Sequence, residues 1–200
     1  MGHHHHHHGG HMSLLRFLEV VSEHIKNLRN HIDLETVGEM IKLIDSARSI
    51  FVIGAGRSGY IAKAFAMRLM HLGYTVYVVG ETVTPRITDQ DVLVGISGSG
   101  ETTSVVNISK KAKDIGSKLV AVTGKRDSSL AKMADVVMVV KGKMKQERDE
   151  ILSQLAPLGT MFELTAMIFL DALVAEIMMQ KHLTEKDLEA RHAVLEEGGS

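Results

Sequence analysis

The stretch SIFVIGAGRSGYIAKAFAMRLMHLG, residues 49–73, decides the fold of this chain. It opens with an apolar run, turns through Gly54, Gly56 and Gly59, and continues with apolar residues at helical spacing. The glycines match G-x-G-x-x-G, a turn whose backbone N–H groups bind phosphate at the start of a helix. The stretch therefore predicts a strand, a phosphate-binding turn and a helix, and it leaves open which phosphate is bound.

The same alternation of strand and helix continues towards the carboxyl terminus. Four further apolar runs are predicted strands, at residues 75–80, 91–97, 118–124 and 135–140, with helices at 102–116 and 128–134. Strands that are apolar throughout are buried on both faces, which is typical of a parallel sheet. Right-handed crossovers then favour an α/β fold with a doubly wound five-stranded parallel sheet, in the flavodoxin-like order 2-1-3-4-5, flanked by helices.

Further helices are predicted on either side of this unit. They lie at residues 14–30, 33–47, 160–182 and 184–197, and a polar surface connection at 141–150 precedes the third. We interpret residues 1–12 as an affinity tag with its junction and residues 198–200 as a possible linker remnant. The remainder, residues 13–197, is expected to form a single domain.

The composition excludes several classes of function. The net charge is −1, with 23 basic and 24 acidic residues mixed along the chain, so no basic surface for nucleic acid is expected. No apolar run reaches the roughly 20 residues of a membrane span. The chain has no cysteine, and its histidines outside the tag lack metal-ligand spacing. We expect a soluble, cytoplasmic protein without a metal, a membrane or a nucleic-acid partner.

Two glycine-rich loops are predicted to lie side by side, at the carboxyl ends of strands 1 and 3. The first is GAGRSG, residues 54–59, and the second is SGSGET, residues 97–102. Open α/β sheets bind ligands at this crevice, and both loops lead into helix N-termini that favour an anion. Glycines allow close approach of the backbone, and hydroxyls donate to phosphate oxygens. The predicted phosphate-binding set is Gly56, Ser58, Ser97, Ser99 and Thr102.

A dinucleotide is the main alternative ligand. Glu81 lies near the position of a ribose-binding acid, but Gly80 separates it from the strand. The chain is also too short for a separate substrate domain, and SGSGET supplies hydroxyls where a nicotinamide needs an apolar slot. The two loops together favour a compact phosphate monoester. A simpler alternative is that Ser97, Ser99 and Thr102 only cap a helix, and Glu101 is expected to interact with that helix's dipole.

Three segments then carry a resemblance to a known family. GAGRSGYIAKAFAMRLMHLG, ISGSGETTSVV and APLGTMFELTAMIFLDAL resemble the sugar isomerase (SIS) domain, and GRSG, PLGTMFE and ARHA narrow the likeness to the 6-phospho-3-hexuloisomerases. The likeness runs over residues 14–196. It implies interconversion of D-arabino-hex-3-ulose 6-phosphate and fructose 6-phosphate through a cis-enediol, without a metal or organic cofactor. It also implies a homotetramer with active sites near subunit boundaries.

The same resemblance implies a place in metabolism. Enzymes of this kind act in the ribulose monophosphate pathway of formaldehyde handling, coupled to a 3-hexulose-6-phosphate synthase. Two alternatives stay open at the level of sequence. One is a non-catalytic SIS module that senses a sugar phosphate, and the other is an aldose–ketose isomerase for another sugar, such as arabinose 5-phosphate. The loops bind the phosphate that all these ligands share, so they do not distinguish among them.

Three residues are the candidates for catalysis. The resemblance implies a catalytic glutamate in PLGTxFE, which is Glu163 here, although residues 160–163 also fit a helix capping box. Moving a carbonyl from C3 to C2 needs such a base, and a cation near the enediolate, for which Arg57 is suited. Related SIS isomerases bring a catalytic histidine from a neighbouring subunit, and His192 in ARHA matches it. The alternative for His192 is a solvated surface residue.

Overall fold

Five parallel strands form the central layer of the computed structural model, in the order β2-β1-β3-β4-β5. They are β1 (Ile50–Gly54), β2 (Val76–Val78), β3 (Val92–Ser97), β4 (Lys118–Thr123) and β5 (Val136–Val139). The structure describes residues 3–143, 153–156 and 159–192. The predicted fold class, the strand positions and the strand order are confirmed.

Seven helices are described around this sheet. They are α1 (His3–His31), α2 (Leu34–Ser46), α3 (Arg57–His71), α4 (Thr103–Ile115), α5 (Ser129–Met133), α6 (Thr160–Gln180) and α7 (Glu185–Glu189). Their positions follow the sequence prediction, although α1 begins within the expected tag. Most of the predicted connection, residues 144–150, lies outside the described residues. No helix of the described chain has both the length and the apolar character needed to cross a membrane.

The last predicted helix is shorter than the sequence suggested. A capping box between Thr184 and Asp187 starts α7, as the TEKD sequence favours, but the helix ends at Glu189. None of its residues is fully buried, and Leu188 is the residue of this helix that packs against the core, so little apolar packing extends the helix further. The prediction of helix through residues 190–192 was therefore wrong, and residues 193–197 lie outside the described part.

Successive side chains along each strand point to opposite faces of the sheet, so the core is divided into two layers. On one face, Ile50 and Val52 of β1 pack with side chains of α2, α3 and α6. On the other face, Phe51 and Ile53 pack with α4 and α5. Burying each large apolar side chain stabilises the fold by roughly 1.5–3 kcal/mol. This two-sided burial explains why the strand sequences are apolar at every position rather than at every second one.

The turn from β1 into α3 brings strand and helix backbone into close contact. A Cβ at Gly54 would lie 2.4 Å from the carbonyl oxygen of Ser58, in the first turn of α3. Gly56, the N-cap of that helix, has φ 58° and ψ −132°, a conformation that side chains disfavour. The chain geometry alone therefore requires glycine at two positions of the G-x-G-x-x-G motif, before any ligand is considered.

We expect Gly54→Ala to lower the free energy of unfolding by about 1–3 kcal/mol, because the new methyl group overlaps the Ser58 carbonyl. Gly38→Ala is the matched control, since Gly38 lies within α2 and a Cβ there meets nothing within 4 Å. That change should raise stability by about 0.5–1 kcal/mol. Urea unfolding at one protein concentration measures both, and a neutral Gly54→Ala would contradict the proposed overlap.

Candidate active site

The two predicted phosphate loops leave the sheet next to each other. Strands β1 and β3 are neighbours in register, with Gly54 paired to Ile96. The loop of residues 54–59 and the loop of residues 97–102 therefore begin at the same edge of the sheet, about 4.8 Å apart at their first residues. Each leads directly into a helix of 13 residues or more, α3 and α4. The structure thus forms the crevice that the predicted strand order required.

The SGSGET loop is held by its own hydroxyl groups. The Ser97 Oγ lies 2.7 Å from the Thr102 Oγ1 and accepts a hydrogen bond from the Gly100 N–H at 3.0 Å. Ser97 is only 1% exposed, so it supports the loop from below. Thr102 is the N-cap of α4 but makes no side-chain cap bond, so the interpretation of Thr102 as a simple helix cap was wrong.

Ser99 is the most accessible hydroxyl of this loop. Its Oγ accepts a hydrogen bond from the Glu101 N–H at 3.1 Å, and the residue is exposed. Because a hydroxyl that accepts one bond still has a proton to donate, Ser99 can bind a phosphate oxygen. On the facing loop, Ser58 is half-buried in the first turn of α3, directly after Gly56 and Arg57. Ser99 and Ser58 are therefore predicted phosphate-binding residues that a ligand in the crevice can reach.

Glu101 anchors the SGSGET loop to α5. Its carboxylate accepts hydrogen bonds from the Ser129 N–H, at 3.0 Å, and from the Ser129 hydroxyl. The Ser129 hydroxyl and then the N–H lower the pKa of Glu101. Leu130 N–H also donates to the Gly100 carbonyl at 3.0 Å. Sequence reasoning assigned Glu101 to the dipole of α4 and missed this contact, whose partner lies 28 residues further along the chain.

Glu163 and Arg57 meet where α6 begins. The Glu163 Oε1 lies 2.7 Å from the Arg57 Nε, and their side chains are 14% and 65% exposed. The pair is ionic rather than hydrogen-bonded, because no N–H of the described residues is aligned on that buried oxygen. The N-cap of α6 is Gly159, which makes no side-chain cap bond. The capping-box interpretation of Glu163 was therefore wrong, and its carboxylate faces Arg57 instead.

A cavity of about 290 Å³ opens beside this ion pair. Its walls are Arg57, Tyr60, Ile61, Glu163, Leu164 and Met167. Among the described residues that line it, the charged groups are this carboxylate and this guanidinium, and the remaining lining is largely apolar. A few polar groups in an apolar wall are characteristic of small-molecule sites. The cavity has room for part of a sugar beside a group able to accept a proton.

Phe162 fixes the start of α6 above the sheet. Its ring is 6% exposed and fills a slot lined by glycines that follow three successive strands. A Cβ at Gly98 would lie 2.9 Å from the ring, and one at Gly142 would lie 2.9 Å from the Phe162 backbone nitrogen. Gly124 completes the slot. Sequence reasoning missed this function of Phe162, and the repeated glycine just after a strand was the available signal.

His192 lies at the opposite end of α3 from Arg57. Its ring stacks on His71, with centroids 5.2 Å apart and planes at 29°. His71 is the last residue of α3 and Arg57 is the first, so the helix separates them by about 20 Å. The structure thus brings together Arg57, Glu163 and the two phosphate loops within one chain, but it does not bring His192 to them.

This chain is similar to known proteins over most of its length. The profile of the SIS domain family matches residues 43–169, which include both phosphate loops and Glu163. The chain belongs to the SIS domain family. Within the described residues, no three or more His, Asp or Glu side chains are grouped to hold a metal ion.

Relatives of this SIS protein narrow the family further. A 3-hexulose-6-phosphate isomerase of Methanocaldococcus jannaschii is 42% identical over 188 residues, covering 92% of this chain and 99% of the relative. One of Bacillus subtilis is 36% identical over 185 residues, covering 91% and 100%. A crystal structure from Methanococcus jannaschii, with an inferred molecular function of 3-hexulose-6-phosphate isomerase, is 40% identical with a TM-score of 0.77, covering 88% and 97%.

These matches confirm the resemblance found in the sequence. The chain is a member of the 3-hexulose-6-phosphate isomerase group of SIS proteins, and it is an isomerase. They support this function over the two alternatives, a non-catalytic sensor and an isomerase of another sugar phosphate. Glu81, the acid that the dinucleotide hypothesis required, lies 3.7 Å from Lys63 on α3 with both side chains exposed.

We expect Glu101→Ala to weaken the binding of fructose 6-phosphate by about fivefold to tenfold, because the SGSGET loop loses two hydrogen bonds to α5. Titration calorimetry measures the affinity, and circular dichroism checks the fold. Asp114→Ala is the matched control, since it removes an exposed carboxylate near the other end of α4. Equal losses in the two variants would contradict an anchoring role for Glu101.

Proposed function

We propose that this SIS isomerase interconverts D-arabino-hex-3-ulose 6-phosphate and fructose 6-phosphate. The single observation that carries the proposal is the Glu163–Arg57 pair, at 2.7 Å, beside two phosphate-type loops. The names of the relatives support the choice of substrate. In this proposal the phosphate that the two loops bind lies at the far end of the sugar, whereas Arg57 of the first loop faces the reacting carbons.

The phosphate loops orient the substrate. The phosphate accepts hydrogen bonds from the Ser99 and Ser58 hydroxyls and from backbone N–H groups at the starts of α3 and α4. Both loops are fixed, by Gly54 packing in one and by the Ser97–Thr102 contact in the other. Because the fixed loops already hold the phosphate in one orientation, less orientational entropy is lost when the substrate reaches the transition state. This effect can account for a large part of a rate enhancement.

Glu163 is the proposed base. Starting from the hexulose, its carboxylate removes the proton on C2 as the C3 carbonyl becomes an enediolate oxygen. A hydroxyl proton then passes from the C2 oxygen to the C3 oxygen, and the base returns its proton to C3 as the C2 carbonyl forms. One base on one face performs both transfers through a cis-enediol. The Glu163 Oε1 lies 2.7 Å from the Arg57 Nε, so a substrate oxygen bound by the guanidinium is brought next to the proposed base.

Arg57 is the proposed cation for the enediolate. Its guanidinium is 65% exposed, so several of its N–H groups can face a ligand while Nε stays near Glu163. A fixed positive charge lowers the energy of a developing oxyanion in a site that excludes water. The reaction only moves protons and an electron pair within the sugar, so the proposal assigns no redox cofactor and no metal to it.

We expect Glu163→Gln to reduce turnover by about 10²–10⁴-fold while the affinity for fructose 6-phosphate stays within a few-fold, because amide nitrogen and oxygen keep the shape but do not accept the proton. Glu176→Gln is the matched control on the same helix, where Glu176 is exposed and bonds only to Gln180. The assay consumes the 3-hexulose with a 3-hexulose-6-phosphate synthase.

Two results of that assay would overturn parts of the proposal. Full turnover by Glu163→Gln would remove Glu163 as the base. Turnover of arabinose 5-phosphate by the unmodified chain, without turnover of fructose 6-phosphate, would keep the isomerase class and replace the substrate.

We further propose that the site is completed by a second copy of this chain, within a homotetramer. Leu14, Leu15 and Leu18 of α1 are exposed. The neighbouring residues Phe17, Val20 and Val21 pack against Met161, in the first turn of α6. This apolar surface therefore adjoins the helix that carries Glu163, and covering it with another subunit removes it from water.

In that assembly His192 acts in the site of a neighbouring subunit. Its separation from Arg57 within one chain supports this arrangement, and imidazole is suited to moving hydroxyl protons near neutral pH. The enzyme is proposed to work in the cytoplasm with a 3-hexulose-6-phosphate synthase, in the ribulose monophosphate pathway. A chain without cysteine suits a reducing compartment.

Co-expression of Glu163→Gln and His192→Ala chains tests the shared site. If each site takes Glu163 from one chain and His192 from another, random assembly leaves about one half times one half, or about a quarter, of the sites intact. Mixed oligomers should then regain roughly that share of activity, although each variant alone is inactive. No recovery in verified mixed oligomers would place both residues in one chain, and an active His192→Ala alone would remove the histidine from catalysis.

A further inference from the structure

A second and larger cavity lies away from the Glu163–Arg57 pair. Its volume is about 760 Å³, and it is bounded by the turn between α1 and α2, the turn after β4 and the outer edge of β5. This volume is within the range of sites for nucleotide-sized ligands. The proposed reaction uses none of the charged residues that line it.

Cations dominate the wall of this cavity. Lys125, Arg126 and Lys141 line it, and no carboxylate of the described residues lies within ion-pair distance of these three. His31 adds a fourth basic group. Two carboxylates, Asp33 and Asp127, also line the cavity, so the three cations leave an excess of one positive charge. Asp33 is the N-cap of α2, where it accepts from two backbone N–H groups. The bond from the Thr36 N–H lowers the pKa of Asp33, and Arg126 helps to lower it. In a chain of net charge −1, this local excess of positive charge favours an anionic ligand.

The backbone around these cations is fixed. Lys125 N–H donates to the Thr123 Oγ1 at 3.3 Å, and the Ser128 hydroxyl donates to the Lys125 carbonyl at 2.8 Å. The carbonyl of Lys141 lies 2.7 Å from the Nε2 of His24, a fully buried residue. The two lysines therefore extend exposed side chains from rigid positions that follow the adjacent strands β4 and β5, which lowers the entropic cost of holding an anion there.

The open edge of β5 supplies a different kind of contact. Val140 N–H donates to the Thr123 carbonyl of β4, so alternate residues of the strand face that neighbour. Val137 and Val139 therefore direct their N–H and C=O groups away from the sheet, and both residues line the cavity. β5 pairs only with β4 within the described sheet. An adjacent donor and acceptor pair suits the edge of a planar base, and Leu28 and Met138 add apolar surface.

We propose that this cavity binds a nucleoside polyphosphate. The phosphates contact Lys125, Arg126 and Lys141, and the base lies along the backbone of β5. The site also borders the catalytic apparatus, because Gly124 lines the cavity and a Cβ there would lie 3.7 Å from the ring of Phe162. Phe162 directly precedes Glu163, the proposed base. This proposal does not depend on which sugar phosphate the enzyme converts.

The test is calorimetric titration of the full chain with ADP, pyrophosphate and adenosine. ADP should bind tightly enough to saturate, and more tightly than either fragment. Lys125→Ala with Arg126→Ala should weaken ADP binding about tenfold or more, because two charge-assisted contacts are lost. Lys110→Ala with Lys111→Ala, an exposed pair on α4, is the matched control and should leave the affinity unchanged. Arg57→Ala should also leave it unchanged, which separates this site from the sugar-phosphate site.

Several outcomes would overturn the proposal. They are the absence of ADP binding at millimolar concentration, equal affinity for pyrophosphate and ADP, and equal losses in the two double variants. Thermal unfolding of every variant guards against misfolding, and Lys141→Ala, after the neighbouring strand, provides a second, independent charge removal with the same expected loss.

Discussion

The packing of Phe162 into a slot of glycines is the constraint on which the active site depends. The slot exists because Gly98, Gly124 and Gly142, which follow β3, β4 and β5, leave no side chain where the ring lies. A Cβ at Gly98 would lie 2.9 Å from the ring and one at Gly142 would lie 2.9 Å from the Phe162 backbone nitrogen, so in a close-packed interior a methyl group at either position displaces Phe162. The buried ring fixes the first turn of α6, and the next residue, Glu163, is thereby held against Arg57. A contact in the core thus sets the geometry of a reacting group.

The two phosphate loops are also held in shape by contacts within the protein, before any ligand binds. Gly54 is required by the contact between β1 and α3, and the hydroxyls of Ser97 and Thr102 are used to shape their own loop. A turn of this geometry presents backbone N–H groups whatever the phosphate carries, which explains why G-x-G-x-x-G is compatible with both a dinucleotide and a sugar phosphate. The difference between the two ligands lies in the second loop, where hydroxyls replace an apolar slot.

The sequence predicts those features that depend on local pattern. The five strands, their order and the adjacency of the two loops follow from apolar runs, glycines and the handedness of crossovers. Contacts between distant side chains do not follow from pattern. The partner of Glu101 is Ser129, and Glu163 faces Arg57 rather than its own helix end. In both cases the sequence suggested a partner close to the carboxylate: the dipole of α4 for Glu101 and the start of its own helix for Glu163. In the folded chain each carboxylate instead contacts a residue that is distant in the sequence.

Glu163 and His192 also differ in how firmly the surrounding structure holds them. Glu163 belongs to a helix of 21 residues with nine buried side chains, so displacing it disrupts the core. His192 follows α7, a five-residue helix with no buried residue, and its ring stacks on His71, while Leu188 of α7 packs against the core. A proton acceptor must be held rigidly near one carbon, whereas a group that serves several hydroxyls benefits from movement. In the proposed mechanism the carboxylate thus belongs to the more deeply buried helix, and the imidazole follows the less buried one.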